Sequence, residues 1–269
     1  MAKHQRLWNH SIYKKRLREG RGQGNGADYS PWIHIQDFPS SGMVSRVSGT
    51  TTGRIHHLMS NLELSLFFLL DWSDDVIDIR EQYPIADLAQ AIEIAENANI
   101  RYPYDHVSGF PYVLTSDFYL DTKQGAVVMS VKPSSELGKP RVREKLEIER
   151  RYWTMRGIQW SIMTENEINR VKANNIEWLA QAKDLSVFGL SETMQDACRE
   201  YFLQSFYVNH SPLSDLLKAV EKAFGLAVGM GLNIYKHLVY WKRIAFNTDE
   251  RVDLTMFSSP NFCYGGGAM

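Results

Sequence analysis

Apolar and polar positions follow two rhythms along this chain, and each change of rhythm marks an element. Residues 62–72 (LELSLFFLLDW) are almost wholly apolar, with Ser60 or Asn61 ahead of them as N-cap. The pattern predicts a helix with Glu63 in its first turn, where the helix dipole favours a carboxylate. VIDIR (76–80) reads as a short strand, and the run after Pro84 (85–100) has the apolar spacing of a helix. Two strand-like runs, 111–120 and 126–132, flank the turn residues DTKQG and predict a β-hairpin. Pro140 then opens a helix that Gly157 closes, and 159–164 reads as a strand. Thr164 with Glu167 three residues on is a capping-box pattern for a helix over 165–183. Residues 20–53 carry glycine, serine and proline at turn density and read as an arm rather than a core.

This order predicts an α/β domain over 1–183, a mixed sheet flanked by helices and led by a basic N-terminal arm. From 184 to 269 the texture changes to short helices (192–205, 214–223 and 233–241). KRIAF (242–246) and RVDLTMF (251–257) then form a candidate hairpin, so the second domain is smaller, mainly helical and open to a winged-helix form. A length of 269 residues suits two domains. With 44% apolar and 23% charged residues, disorder throughout is excluded. The longest apolar stretch stops short of the ~20 residues a membrane span needs. The start MAKHQRLWNH lacks a signal core, so the expectation is a cytoplasmic protein without membrane contact. Cys198 and Cys263 stand in no zinc-ligand spacing and read as idle thiols.

The net charge of -1 hides local clustering. Lys3, Arg6, Lys14, Lys15, Arg16, Arg18 and Arg21 face a single acid, Glu19, at the start of the chain. A second basic cluster, mixed with glutamates, lies in 139–156. GRGQGNG (20–26) is no ATP loop, because no G-K-[ST] follows it. It reads as a strap along DNA, with Lys14, Lys15, Arg16, Arg18 and Arg21 as phosphate contacts sensitive to salt.

The hairpin carries the candidate chemistry. Asp117 lies on its first strand and Lys132 ends the second, so the period-2 alternation allows both on one face. Glu63 offers a second carboxylate, and the carbonyl of Val131 a further oxygen. Phosphodiester hydrolysis needs such a set: oxygen donors for a hard cation, an activated water, and positive charge for the phosphate. Taken alone, the same residues also fit a surface ion pair worth about 0–1 kcal/mol and an ordinary first-turn glutamate. His56 and His57 are adjacent and point apart, which suits packing or a DNA-facing position better than chelation. Gln82 reads as a weak candidate for the site against a buried amide.

The segments GRGQG, SNLEL (60–64), DIREQYP (78–84), TSDF (115–118), VKP (131–133), KLEIERRYW (145–153) and NIEWL (175–179) occur in this order over residues 20–180. In them the chain resembles the TnsA family, endonuclease subunits of heteromeric cut-and-paste transposases. The resemblance implies a restriction-endonuclease-like fold, with catalytic Glu63, Asp117 and Lys132 and a Mg²⁺ site, open to Mn²⁺, on Glu63, Asp117 and the Val131 carbonyl. It implies cleavage of the 5′ strands at double-stranded transposon ends, in the nucleoid of a bacterial cell. The implied partners are a transposase resembling TnsB and an ATP-dependent regulator resembling TnsC, the latter at the C-terminal domain. The family pattern has Glu or Gln two residues before the lysine, where this chain has Ser130. Ser130, Glu149 and Gln82 are therefore candidate helpers. A weakened site, retained as a DNA- and regulator-binding scaffold, is the alternative.

Overall fold

The structure, a computed structural model, describes residues 8–37, 43–209 and 213–251, without the side chains of 208 and 209. The chain divides into two compact units, 1–168 and 169–269. The first unit runs α1 (His10–Arg18), β1 (Ser45–Ser48), β2 (Ile55–Leu58), α2 (Asn61–Asp71), β3 (Val76–Pro84), α3 (Leu88–Asn97), β4 (Thr115–Thr122), β5 (Gly125–Val131), α4 (Pro140–Thr154) and β6 (Gln159–Met163). Strands β3 to β6 form one mixed sheet in sequence order. β3/β4 and β4/β5 pair antiparallel, and β5/β6 pair parallel. α4 is the crossover that a parallel pair requires.

Apolar side chains at helical spacing on α3 (Ala91, Ile94, Ala95) and α4 (Ile148, Tyr152, Trp153) form one core with Ile85, Tyr102 and Val128. Each large side chain so buried contributes about 1.5–3 kcal/mol. α2 packs against β2 and β3. Its N-cap is Ser60, which fixes where Glu63 emerges.

The described residues of 20–53 are not an arm. Tyr29 and Trp32 are buried, β1 and β2 pair as an antiparallel ribbon, and Gly22 N–H donates to Ser30 O at 2.6 Å. Gly22 has φ 73°, and a Cβ there would lie 2.3 Å from Pro84 Cγ, so the segment is seated against the end of β3. Ahead of it α1 is helical, and Trp8 packs with Trp32 and Val113. Turn-forming composition concealed this because a few aromatics, rather than a periodic apolar face, anchor the segment. β3 also runs to Pro84, beyond the predicted 76–80.

Half of the capping box at Thr164 forms, the Glu167 carboxylate accepting from Thr164 N–H at 2.7 Å and from its hydroxyl at 2.6 Å, while Glu167 N–H donates to the Thr164 carbonyl instead of the hydroxyl. The helix itself starts later, at α5 (Arg170–Ala180), because the Asn169 side chain caps Lys172 N–H. The second unit continues with α6 (Glu192–Asn209), α7 (Leu213–Phe224) and α8 (Met230–Tyr240). α8 packs against α5, α6 and α7 through the buried Ile234, Tyr235 and Leu238. α5 therefore belongs to the second unit, and the division falls at 168/169 rather than 183/184. Among the described residues this unit has no strand. Residues 242–246 turn back on α8, with Arg243 and Ile244 N–H both donating to Leu238 O. The other half of the expected hairpin, Arg251 apart, lies outside the described residues, as do Lys3, Arg6 and Cys263. Cys198 is buried. Among the described residues no helix is long and apolar enough to cross a membrane.

Candidate active site

Glu63 is set by its own helix start. Ser60 Oγ accepts from Glu63 N–H at 3.1 Å and donates to Glu63 Oε1 at 3.0 Å, while Met59 N–H donates to Oε2 at 2.9 Å. This is a capping box in which the first-turn acid completes the cap. The carboxylate is also 5% exposed and faces Asp117. Burial, then the Asp117 charge, push its pKa up to about 7 against the Met59 and Ser60 hydrogen bonds. A buried pair of carboxylates lacking enough positive charge behaves this way.

Asp117 stands where two strands part. The β4–β5 ladder ends at Phe118–Met129. Just beyond, Asp117 Oδ2 accepts from Val131 N–H at 2.6 Å in place of a backbone acceptor. Lys132, the residue after β5, donates from Nζ to the same Oδ2 at 2.7 Å and to the Val131 carbonyl at 2.8 Å. Burial lowers the Lys132 pKa, but the Asp117 charge and hydrogen bond outweigh it and hold it above the ordinary value. Lys132 is therefore a cation at neutral pH.

Ser130 is buried behind this group. Its hydroxyl donates to Glu149 of α4 and accepts from Trp160 Nε1 at 3.2 Å. Glu149 is raised to about 7, first by burial and further by Asp117, with serine hydrogen bonds opposing. It makes no ion pair with Lys145; α4 instead brings it to the sheet, where a side chain at 130 longer than serine would reach.

Gln82 faces the site from β3, between Glu81, opposite Phe118, and Tyr83, opposite Ser116. Its φ is 49°, left-handed for a residue with a side chain. That conformation costs about 1–2 kcal/mol. Its amide nitrogen donates to Glu63 Oε2 at 3.3 Å, and its amide oxygen accepts from Thr115 Oγ1 at 3.3 Å. Trp32 N–H donates to its carbonyl at 3.3 Å.

Glu63, Asp117, Val131 and Lys132 thus meet at the splayed ends of β4 and β5, with Gln82 on Glu63 and the Ser130–Glu149 pair behind. The N-terminal basic residues divide. Lys14, Lys15 and Arg18 are exposed on α1. Arg16 and Arg21 both pair with Asp37, and the Arg16 guanidinium lies 5.0 Å from the Trp8 ring and 5.6 Å from the Trp32 ring. Residues 38–42, beyond Asp37, lie outside the description. His56 is fully buried, bonding Thr52 Oγ1 at 2.7 Å and Glu81 at 2.8 Å. Arg54 reaches the same Glu81 carboxylate. Nothing in the spacing of Arg54, His56 and Glu81 marks this ion cluster, because it joins separate strands.

Two family models match parts of the chain: the TnsA-like endonuclease N-terminal region over 73–165 and the TnsA endonuclease C-terminal region over 167–248. The Escherichia coli protein described as transposon Tn7 transposition protein TnsA is 38% identical over 250 residues, 92% of this chain and 89% of its own length. The chain belongs to the TnsA endonuclease family. The N-terminal TnsA match includes Asp117, Val131, Lys132 and Glu149, while Glu63 lies ahead of it on α2. The meeting point of the two TnsA regions also lies within a few residues of the division at 168/169.

Proposed function

We propose that this chain hydrolyses the 5′ strand at each transposon end during cut-and-paste transposition, on a restriction-endonuclease-like domain and with Mg²⁺, for which Mn²⁺ substitutes. The observation that carries the reading is Lys132 Nζ against both Asp117 Oδ2 and the Val131 carbonyl. A positive group already sits between two of the oxygens assigned to the cation, and Glu63 is short of positive charge beside them. Among the described residues no group of three or more His, Cys, Asp or Glu side chains is placed to hold a metal ion by itself. Two carboxylates and a carbonyl are instead a hard donor set, the kind that Mg²⁺ accepts together with its own waters.

Glu63, Asp117 and the Val131 carbonyl would hold the ion, which supplies an acidified water and offsets charge developing on the phosphate. Gln82 keeps the Glu63 carboxylate turned toward Asp117. Lys132, protonated and drawn off these oxygens, is a point charge for the scissile phosphate rather than a base. In-line attack leaves a 5′-phosphate and a 3′-hydroxyl. The scaffold alternative rested on Ser130 and is not favoured, since Glu149 reaches the place its short side chain leaves. The proposed partners are a transposase resembling TnsB and a regulator resembling TnsC, the regulator on the second unit.

Nicking of a strand-labelled transposon-end duplex, with the transposase present, tests the reading. The account expects a 5′-strand nick that needs Mg²⁺ or Mn²⁺; cutting in chelator, or of the other strand, contradicts it.

A further inference from the structure

The candidate site holds three buried carboxylates, Glu63, Asp117 and Glu149, and its lysine is engaged with one of them. A polyanion approaching such a site is repelled unless further cations stand at its edge. The N-terminal cluster supplies fewer than its sequence suggests, because Arg16 and Arg21 are tied to Asp37.

α4 supplies others. On a helix, positions 141, 145 and 149 lie one above another on one face, about 6 Å apart. Glu149 at the inner end of that row is buried against Ser130. Lys145 is one turn out, exposed, with no carboxylate partner among the described residues. Desolvation by its neighbours, then the Arg141 and Lys132 charges, push its pKa down. A turn further, Arg141 donates to the Arg101 carbonyl at 2.6 Å and to Glu144 at 2.7 Å, a surface pair that a phosphate can displace. Arg101 is itself exposed and makes no ion pair among the described residues.

Resting on the nuclease reading above, we propose that the Arg141–Lys145 face of α4, with Arg101 beside it, seats the phosphates of the DNA strand leading into the cut site. Lys145 contacts the phosphate adjoining the scissile one, and Arg141 with Arg101 the next ones out. The contacts read no bases, since a cation row on a helix surface recognises backbone charge alone.

Arg143 is a built-in control: it has the same charge on the same helix and is exposed, but two residues from Lys145 it faces the opposite side. Binding of the full-length chain to a labelled end duplex is measured without divalent metal at several KCl concentrations. Wild type is compared with Lys145→Gln, Arg141→Gln/Lys145→Gln and Arg143→Gln, and thermal melting checks the fold of each. Lys145→Gln should flatten the slope of log affinity against log salt by about one, the double variant by about two, and Arg143→Gln not at all. Equal slopes for Lys145→Gln and Arg143→Gln overturn the proposal. Nicking by the wild type in the transposase reaction separates the two readings: if it proceeds while the slopes are equal, only the α4 track fails, and if it is absent the nuclease reading fails with it.

Discussion

Lys132 Nζ and Asp117 Oδ2 lie 2.7 Å apart, and the lysine reaches the aspartate only because the β4–β5 ladder ends just before it. The parting of the strands frees Val131 N–H and its carbonyl together: the first is taken by Asp117 and the second by Lys132. The chemistry is thus concentrated at a defect in the sheet.

Substitution at that defect should act on turnover. Lys132→Ala is expected to slow nicking on the order of 10²–10³-fold, the range for losing one preorganised group at a developing charge. Lys132→Arg should recover little, because a planar fork does not replace a point charge between Oδ2 and a carbonyl. Single-turnover nicking rates check both.

Gln82 separates backbone strain from side-chain contact. Gln82→Ala and Gln82→Gly both remove the amide from Glu63, and both should slow nicking. They should differ in stability: at φ 49° glycine carries no Cβ penalty, so the Gly variant should be more stable than the Ala variant by about 1 kcal/mol in urea unfolding. Equal stabilities would mean that the left-handed turn relaxes without cost.

Acid unfolding should report Glu81. Burial raises its pKa, but the hydrogen bonds from Arg54 and His56 prevail and hold it at about 2. A depressed carboxylate stabilises the fold above its ordinary pKa near 4.5, and that contribution disappears as pH falls from there toward 2. Glu81→Gln should remove this part of the pH dependence and destabilise the protein at neutral pH by about 3 kcal/mol, since Arg54 is left buried without its partner. Urea titrations across pH 2–7 provide the comparison; the range follows from the two pKa values.

Mg²⁺ should bind the folded chain and raise its melting temperature by linkage, by about 1.4 kcal/mol of stability at tenfold over the dissociation constant. In Asp117→Ala the increment should vanish, because the carboxylate nearest both Val131 and Lys132 is gone. Thermal melts with and without the ion, in the absence of DNA, decide it.

Much of the sheet was legible because its elements are local. Ser60, the DTKQG turn, Pro140 and Gly157 each act within a few residues, and α2, the hairpin and α4 stand close to where those signals put them. Asp117 and Lys132 were legible for the same reason, being partners across one hairpin. Three features were not. The seating of the N-terminal segment depends on Trp8, Trp32 and Gly22 meeting residues far along the chain. The Arg54–His56–Glu81 cluster joins two strands from different sheets. The placement of α5 with the second unit is decided by packing on α8, which no helix signal within 165–183 encodes.

The central claim is that Glu63, Asp117 and Lys132 form one hydrolytic site. Its most direct test is strand-specific nicking of a transposon-end duplex with Mg²⁺ and the transposase, comparing wild type with Asp117→Ala and Lys132→Ala. The account predicts a 5′-strand nick in wild type that both variants lose while keeping a cooperative melt; a nick that survives in either folded variant would contradict it.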